Sequence, residues 1–381
     1  MPRLPNELCD QILANLTELR SLRSCALVCR AWASTAQRSL FATLRIHEKN
    51  VAPICELLGS TAPHFANYVQ HLYILTYGDL RTNLETRMSK DAPLPIIEHL
   101  FPYLSLFANV KELTLDSCRQ FVESTWDTHW TNVIASAFPS LPKLNILYSK
   151  FEALADLVDL VAAFPVLTAL RVDDIDIEEA SHEYSNEEQE PYRGTKTPPE
   201  GLDNISYCSA SQFGSGGGPF LRWLAAHPGN FTTLYLDLAA EAGDVNAGVD
   251  LITATGDKLH NLTLAFDDQW QLWEDFELSP NTSLQNFTIR RASDIGDSLP
   301  ELIQTISSPL ETLTLGNIEE IEPSMHSLIA ALMAMPSLTR VTFYVGYTGN
   351  VAEWIKNLTE DHPEFMQSGI VIVDNKEQHE W

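Results

Sequence analysis

The chain has 381 residues, 45% of them hydrophobic, and a net charge of −27. It contains no apolar run near the ~18 residues that span a bilayer, and its polar start around Arg3 does not resemble a signal sequence, so we expect an intracellular protein of the cytoplasm or nucleus. The negative charge disfavours binding to nucleic acid and to anionic membrane surfaces, because both repel an acidic protein.

The charge is unevenly distributed along the chain. Residues 1–46 contain six arginines and three acidic residues, a net charge of +3, which leaves −30 for the remainder. Because opposite charges attract, we expect partners of the acidic remainder to present basic surfaces.

The first 46 residues predict a small helical module. Leu8, Ile12 and Leu16 recur every four residues, which places them on one apolar face of a first helix. Pro5 suits the first turn of that helix, where the missing N–H costs nothing. Leu22 belongs to a second, short helix.

A third helix is predicted to carry Val28 and Trp32 one turn apart, with Cys25 and Cys29 on a neighbouring stripe. Three helices in so few residues bury only about 60% of the surface that the unfolded chain exposes. We therefore expect the module to leave an apolar face that another surface covers. The alternative is that these regularly spaced apolar residues form an ordinary small helical core.

These residues resemble a known family. The run Leu4-Pro-x-Glu-Leu8, then Leu27-Val-Cys-Arg-x-Trp32 and Leu40-Phe41, is similar to an F-box, the three-helix module that docks onto the Skp adaptor of cullin-type ubiquitin ligases. In this chain Thr17-Glu18 stand where the family often has proline and aspartate. The resemblance covers residues 1 to about 46 and implies an adaptor-binding set: Leu4, Pro5, Leu8, Ile12, Leu16, Leu22, Val28, Cys29 and Trp32.

From Val69 onward the pattern apolar-x-x-Leu-x-apolar recurs nine times. The copies begin at Val69, Val110, Leu141, Leu167, Phe231, Leu259, Leu284, Leu310 and Leu338. Leu-x-x-Leu-x-Leu at intervals of about 20–29 residues is the signature of leucine-rich repeats. Each copy predicts a strand with two side chains facing the core and the intervening one on the opposite face.

Amphipathic segments between the copies, such as 152–163 and 325–335, predict helices. Strand followed by helix, repeated, predicts an α/β fold in which a curved leucine-rich-repeat solenoid carries parallel strands on its concave face. Residues 369–374 predict a last strand.

One gap of 64 residues interrupts the series between the fourth and fifth copies. It contains nine acidic residues over 173–190 and a glycine-rich run over 214–218, and this composition does not support a core. We predict an acidic, Gly/Ser-rich disordered insertion at about 176–218. The domains are then an F-box module over 1–46, a helical connection over 47–68 and an irregular solenoid over 69–381.

The sequence contains no pattern typical of catalysis or metal binding. Its six cysteines lack Cys-x-x-Cys and zinc spacing, and it has no nucleophile elbow, His-Glu-x-x-His or phosphate loop. We predict no enzymatic activity, no cofactor and no metal. The alternative, an enzyme hidden in the solenoid, requires clustered desolvated carboxylates in a deep pocket.

In a solenoid of this kind, the strand residues that flank the core leucines line a contiguous surface. Arginine and aromatic side chains supply most interface hot spots. The predicted substrate-binding residues are Asp116, Tyr235, Asp237, Arg290, Arg340 and Tyr344.

The F-box resemblance followed by leucine-rich repeats implies a substrate receptor that is not itself catalytic. The first module would bind the Skp adaptor and through it the cullin, and the repeats would bind a protein substrate. The alternative is a protein-interaction scaffold with no ligase role.

Overall fold

The computed structural model describes residues 8, 11–13, 15–16, 18–47, 49–60, 64–75, 96–116, 128–177, 194–209, 217–238, 242–265, 276–292, 295, 298–318, 324–345 and 351–374. Internal contacts divide the chain into two compact units, Met1–Glu152 with Asp159–Leu167, and Ala153–Val158 with Thr168–Trp381. Within the described ranges, no helix is long and apolar enough to cross a membrane.

The first unit begins with the N-terminal helices. Leu8 and residues 11–13 are helical, and α1 (Leu19–Val28) and α2 (Arg30–Phe41) follow. The predicted helix that carries both Val28 and Trp32 is wrong, because Cys29 between them is extended, with φ −161° and ψ 165°. The break allows α1 and α2 to pack against each other, which one continuous helix cannot do.

Four parallel strands of the first unit pair in chain order. They are β1 (Thr43–Ile46), β2 (His71–Leu75), β3 (Glu112–Asp116) and β4 (Lys143–Leu147). The register aligns two rows of apolar side chains, Leu44, Leu72, Leu113 and Leu144 in one and Ile46, Ile74, Leu115 and Ile146 in the other. All of them except Leu44 are almost fully buried.

Short helices connect these strands. They are α3 (Val51–Leu58), α4 (Ile96–Leu100), α5 (Thr128–Ala137) and the 3-10 helices His64–Tyr68 and Phe101–Leu106. A two-residue strand, β5 (Lys150–Phe151), follows β4.

The second unit contains eight parallel strands in the described part, again paired in chain order. They are β6 (Ala169–Asp173), β8 (Asn204–Cys208), β9 (Thr233–Asp237), β10 (Asn261–Ala265), β11 (Asn286–Ile289), β12 (Thr312–Gly316), β13 (Arg340–Tyr344) and β14 (Val371–Asp374). A further short strand, β7 (Asp176–Ile177), follows β6. The last strand predicted over 369–374 is confirmed as β14.

Helices alternate with these strands. They are α7 (Gly218–Ala226), α8 (Ala242–Thr255), α9 (Leu299–Gln304), α10 (Met325–Met333), α11 (Val351–Asp361), α12 (Pro363–Gln367) and the 3-10 helix Gly256–Lys258. Helix α6 (Leu154–Ala162) divides at residue 158 between the second unit and the first. The predicted α/β class with parallel strands is therefore confirmed.

The core of the second unit is built from two rows of register-aligned side chains. From β6 to β13, the rows are Leu170, Ile205, Leu234, Leu262, Phe287, Leu313 and Val341, and Val172, Tyr207, Leu236, Leu264, Ile289, Leu315 and Phe343. All are buried. The residue between the two core positions of each strand points to the opposite face, which is the alternation that the repeats predict.

Two strands, β1 and β8, follow the repeat pattern but are not among the nine predicted copies. β1 follows the pattern as Phe41-Ala-Thr-Leu44-Arg-Ile46, and β8 follows it as Leu202-Asp-Asn-Ile205-Ser-Tyr207. The disordered insertion predicted over about 176–218 is therefore too long, because β8 pairs with both β6 and β9 and buries Ile205 and Tyr207. Residues 178–193 and 210–216 of that stretch lie outside the described residues.

Candidate functional site

The N-terminal helices form a small core of their own. Leu13, Leu22 and Ala36 are almost completely buried. At the end of α2 the ring of Phe41 packs against Phe65, with centroids 5.4 Å apart. These contacts join the helices to each other and to the first repeats of the same unit.

The same helices leave large apolar side chains in solvent. The exposed fraction is 45% for Leu8, 49% for Ile12, 56% for Leu19, 88% for Leu27 and 63% for Val28. These five are half of the large apolar side chains that are exposed in the described part of the chain. We call them the apolar docking set, because exposed apolar groups gathered in one region are typical of interaction sites.

The predicted adaptor-binding residues fall into four groups. Leu8, Ile12, Val28 and Cys29 are exposed, and Leu16 and Trp32 are half-buried. Leu22 belongs to the core and supports the helices from inside. Leu4 and Pro5 lie outside the described residues. Whether these side chains contact an adaptor stays a prediction.

Leu19 and Leu27 were missing from the predicted set. Leu27 follows Leu22 by five residues, about 140° further around a helix with 3.6 residues per turn. Helical periodicity could therefore have separated Leu27 from the core face. Leu19 is three residues before Leu22 and shares its side of the helix, so periodicity alone places it in the core, and only the structure shows it exposed.

The strand face of the second unit brings two of the predicted substrate-binding residues into direct contact. Arg290 donates a hydrogen bond from Nη1 to the Tyr235 hydroxyl at 2.7 Å. Its guanidinium carbon lies 5.1 Å from the centre of the tyrosine ring. Burial, and after it the charge of Asp237, raises the pKa of Tyr235 to about 12, so the phenol is neutral at physiological pH.

A charged row lies beside this pair at the carboxyl ends of β6, β8 and β9, where the register aligns Asp173, Cys208 and Asp237. Asp173 accepts two hydrogen bonds from Arg171 on one oxygen, from Nε at 2.9 Å and from Nη2 at 2.6 Å. Arg291 pairs with Asp237 at 3.4 Å. Each of these carboxylates is thus matched with an arginine.

Cys208 is the thiol within this row. Burial, followed by the charges of Asp237 and Asp173, raises the pKa of Cys208 to about 12. A thiol with a raised pKa holds its proton at neutral pH and is a poor nucleophile. Cys208 is therefore poorly suited to act as a nucleophile.

The three remaining predicted substrate-binding residues lie on other strands. Asp116, in the first unit, is buried and accepts a hydrogen bond from the Tyr73 hydroxyl. Arg340 is exposed at the start of β13, and Tyr344 is half-buried at its end. None of these positions has been tested as a binding residue, so each stays a prediction.

The strand face of the first unit holds a polar network that repeat counting alone did not single out. Asn145 donates from Nδ2 to Glu112 Oε1 at 2.8 Å and to Thr114 Oγ1 at 2.9 Å. His71 Nε2 lies 2.9 Å from the same Thr114 oxygen, and burial lowers the pKa of His71. Arg45 lies over the ring of Tyr73 at 5.3 Å. These residues occupy adjacent strands, so only the register reveals the network.

Among the residues that the structure describes, no group of three or more histidine, cysteine, aspartate or glutamate side chains could hold a metal ion. The cysteines at 25, 29, 55 and 208 are free thiols.

Two solved structures are similar to this chain in comparisons of fold. One is the leucine-rich repeat-containing protein LegL7 from Legionella pneumophila, at 13% identity and a TM-score of 0.44, covering 87% of this chain and 91% of that chain. The other comes from the complex of Rad7 and Elc1 in yeast, at 14% identity and a TM-score of 0.44, covering 94% of this chain and 86% of that chain. No curated protein sequence matches the chain.

A family model described as F-box-like matches residues 1–47. The match coincides with the helices that carry the apolar docking set and with the residues on which the sequence resemblance rests. The chain therefore contains an F-box-like domain at residues 1–47.

Proposed function

We propose that this chain is the substrate-recognition subunit of a cullin-type ubiquitin ligase. Its F-box-like domain docks onto a Skp-type adaptor, which links it to the cullin, and the strand faces of the repeats bind a protein substrate. The observation that carries this proposal is the apolar docking set, Leu8, Ile12, Leu19, Leu27 and Val28, on a domain whose own core is already closed by Leu13 and Leu22.

The energetic argument is simple. Each large apolar side chain that becomes fully buried contributes roughly 1.5–3 kcal/mol. Leaving five such side chains in water on one small domain forgoes this stabilisation, and binding a partner recovers it. A partner with a complementary apolar surface supplies the missing cover.

The repeats provide the second half of the proposal. Tyr235 and Arg290 form a half-buried aromatic and cationic pair, which is the side-chain chemistry that dominates interface hot spots. The net charge of −27 favours a substrate with a basic surface. The chain itself contributes no catalytic step, and its location in the cytoplasm or nucleus stays a prediction.

Co-purification of the full chain with a Skp-type adaptor tests the docking half. Replacing both Leu8 and Ile12 with aspartate places charge in the contact, and we expect adaptor recovery to fall by about tenfold or more. Leu57→Asp is a matched control, because Leu57 is also an exposed apolar residue, 57% accessible, but lies in α3 outside the domain. Full recovery of adaptor with the double variant would overturn the assignment.

The receptor half requires a second experiment. A reconstituted ligase that contains this chain is expected to ubiquitinate a protein captured through the repeats, and to lose that activity with the Leu8 and Ile12 double variant. If the adaptor binds but captured proteins are never modified, the chain is an interaction scaffold instead.

A further inference from the structure

A pocket opens between two helices, α10 and α11, near the C-terminal end of the second unit. Its volume is about 520 Å³, and it is lined by Met325, His326, Trp354, Asn357, Leu358, Asp361 and His362. Met325 and His326 belong to α10, the next four residues belong to α11, and His362 lies between α11 and α12. Ligand pockets generally enclose about 300–1,000 Å³, so a long side chain with its flanking backbone fits.

The floor of the pocket is apolar and fixed by the core behind it. Met325 and Leu358 are buried, and Trp354 is half-buried. The Trp354 ring lies 5.2 Å from the ring of Phe343, which is fully buried and also contacts Phe365. The indole is therefore held in place before any ligand arrives.

The rim is polar and aromatic. The rings of His326 and His362 lie 5.0 Å apart at an angle of 43°. Burial, and after it the charge of His326, lowers the pKa of His362, while Asp361 acts in the opposite direction. His362 is thus a neutral imidazole at neutral pH, and Asp361 supplies the carboxylate of the described lining.

We propose that this pocket binds the arginine side chain of a partner protein. The buried Met325 and Leu358 match the aliphatic stem, which prefers an apolar surface. The planar guanidinium stacks on an indole or imidazole ring and pairs with a carboxylate through two parallel hydrogen bonds. Trp354, the histidine pair and Asp361 provide these three elements together.

Charge complementarity favours the same occupant. The chain carries −27 overall, which attracts cationic segments. The other charged side chains of the helices around the pocket are mostly acidic as well: Glu301, Glu353, Lys356, Glu360 and Glu364. Lys356 lies 3.8 Å from Glu360, so its charge is already paired. A lysine side chain carries the same positive charge but lacks the planar guanidinium that stacks on a ring, so we expect it to bind more weakly.

Titration of the full chain with short capped peptides tests the proposal. The probes are Gly-Arg-Gly, Gly-Lys-Gly, and Gly-citrulline-Gly, in which a neutral group of the same shape replaces the guanidinium. The readout is the indole N–H signal of Trp354 in protein labelled with ¹⁵N-tryptophan, identified by its loss in Trp354→Phe. We expect the arginine peptide to shift this signal and to bind about tenfold more tightly than the citrulline peptide.

The decisive variants each remove one negative charge. Asp361→Asn removes the lining carboxylate and is expected to weaken the arginine peptide about tenfold. Glu311→Gln removes a charge at an exposed position outside the pocket and is expected to change binding less than about twofold. Equal binding of the arginine and citrulline peptides, or no effect of Asp361→Asn, would overturn the proposal. Neither result bears on adaptor binding, which uses the N-terminal helices.

Discussion

The guanidinium of Arg290 both stacks over the ring of Tyr235 and donates a hydrogen bond to its hydroxyl, at 5.1 Å and 2.7 Å respectively. The two residues are 55 positions apart in the sequence. Tyr235 lies on β9, and Arg290 directly follows β11, so the contact reaches over the intervening strand β10. The two contacts hold the side chains of Tyr235 and Arg290 in one arrangement on the strand face.

The first prediction separates the two parts of this contact. Tyr235→Phe keeps the ring and removes the hydroxyl, and we expect it to lower the free energy of unfolding by about 0.5–1.5 kcal/mol. Arg290→Ala also removes the cation over the ring and is expected to cost about 0.5–1 kcal/mol more. Urea unfolding of the full chain followed by tryptophan fluorescence measures both. If the two variants are equally stable, the stacking contributes nothing.

The distance between these residues explains what sequence reasoning could reach. The alternation of leucines at positions such as Leu234 and Leu236 is local, so it revealed the strands and their core faces. The partner of Tyr235 depends on how β9, β10 and β11 align, and no local pattern encodes that. β8 was missed for another reason, because Ile205 and Tyr207 stand between an acidic stretch and a glycine-rich run that dominate the composition.

In the N-terminal domain too, local sequence patterns predicted the elements, whereas effects of tertiary packing were missed. Periodicity identified the helices, and the resemblance identified most of the exposed residues. The break at Cys29 was missed, because nothing in its immediate sequence interrupts helical spacing. It arises from the packing of α1 on α2, which is a tertiary effect.

The second prediction concerns a turn that follows several strands. Tyr148, Asp174 and Asn317 each stand directly after a strand and share a left-handed backbone, with φ of 51°, 53° and 51°. Asparagine and aspartate tolerate this conformation, whereas a bulky side chain is strained in it.

We therefore expect Tyr148→Asn to raise the free energy of unfolding by about 0.5–1 kcal/mol, measured by urea unfolding. The reverse change at the equivalent position, Asn317→Tyr, is expected to lower it. A loss of stability in Tyr148→Asn would mean that contacts of the exposed tyrosine ring outweigh the backbone strain.

The third prediction tests how tightly adjacent strands approach. A Cβ added to Gly316, at the end of β12, would overlap the backbone carbonyl oxygen of Arg290. A backbone atom cannot move aside as a flexible side chain can. Gly316→Ala should therefore lower the free energy of unfolding by about 1–3 kcal/mol and also loosen the Arg290–Tyr235 contact.

Gly59→Ala serves as the control for Gly316→Ala. Gly59 ends α3 with a helical backbone, φ −74°, and the nearest atom to an added Cβ lies at 3.3 Å. We expect its effect on the unfolding free energy to be clearly smaller. Equal effects of the two substitutions would show that the close approach at Gly316 relaxes without cost.

The fourth prediction is the pH dependence of the pocket around His362. The pKa of His362 is lowered, so the folded protein binds this proton less readily than the unfolded chain does. Stability from the neutral imidazole is present above the ordinary pKa of about 6.5 and is lost as the pH falls through the lowered value. A bound arginine would oppose protonation further, because like charges repel.

Binding of the arginine peptide should therefore weaken when the pH is lowered from 7.5 to 5.5, with the change centred below about pH 6.5. Replacing both His326 and His362 with glutamine removes His362 and the imidazole that stacks against it, and the peptide affinity of that variant should vary little over this range. Tighter binding at pH 5.5, or an unchanged pH dependence in the double variant, would rule out the histidine pair as the source.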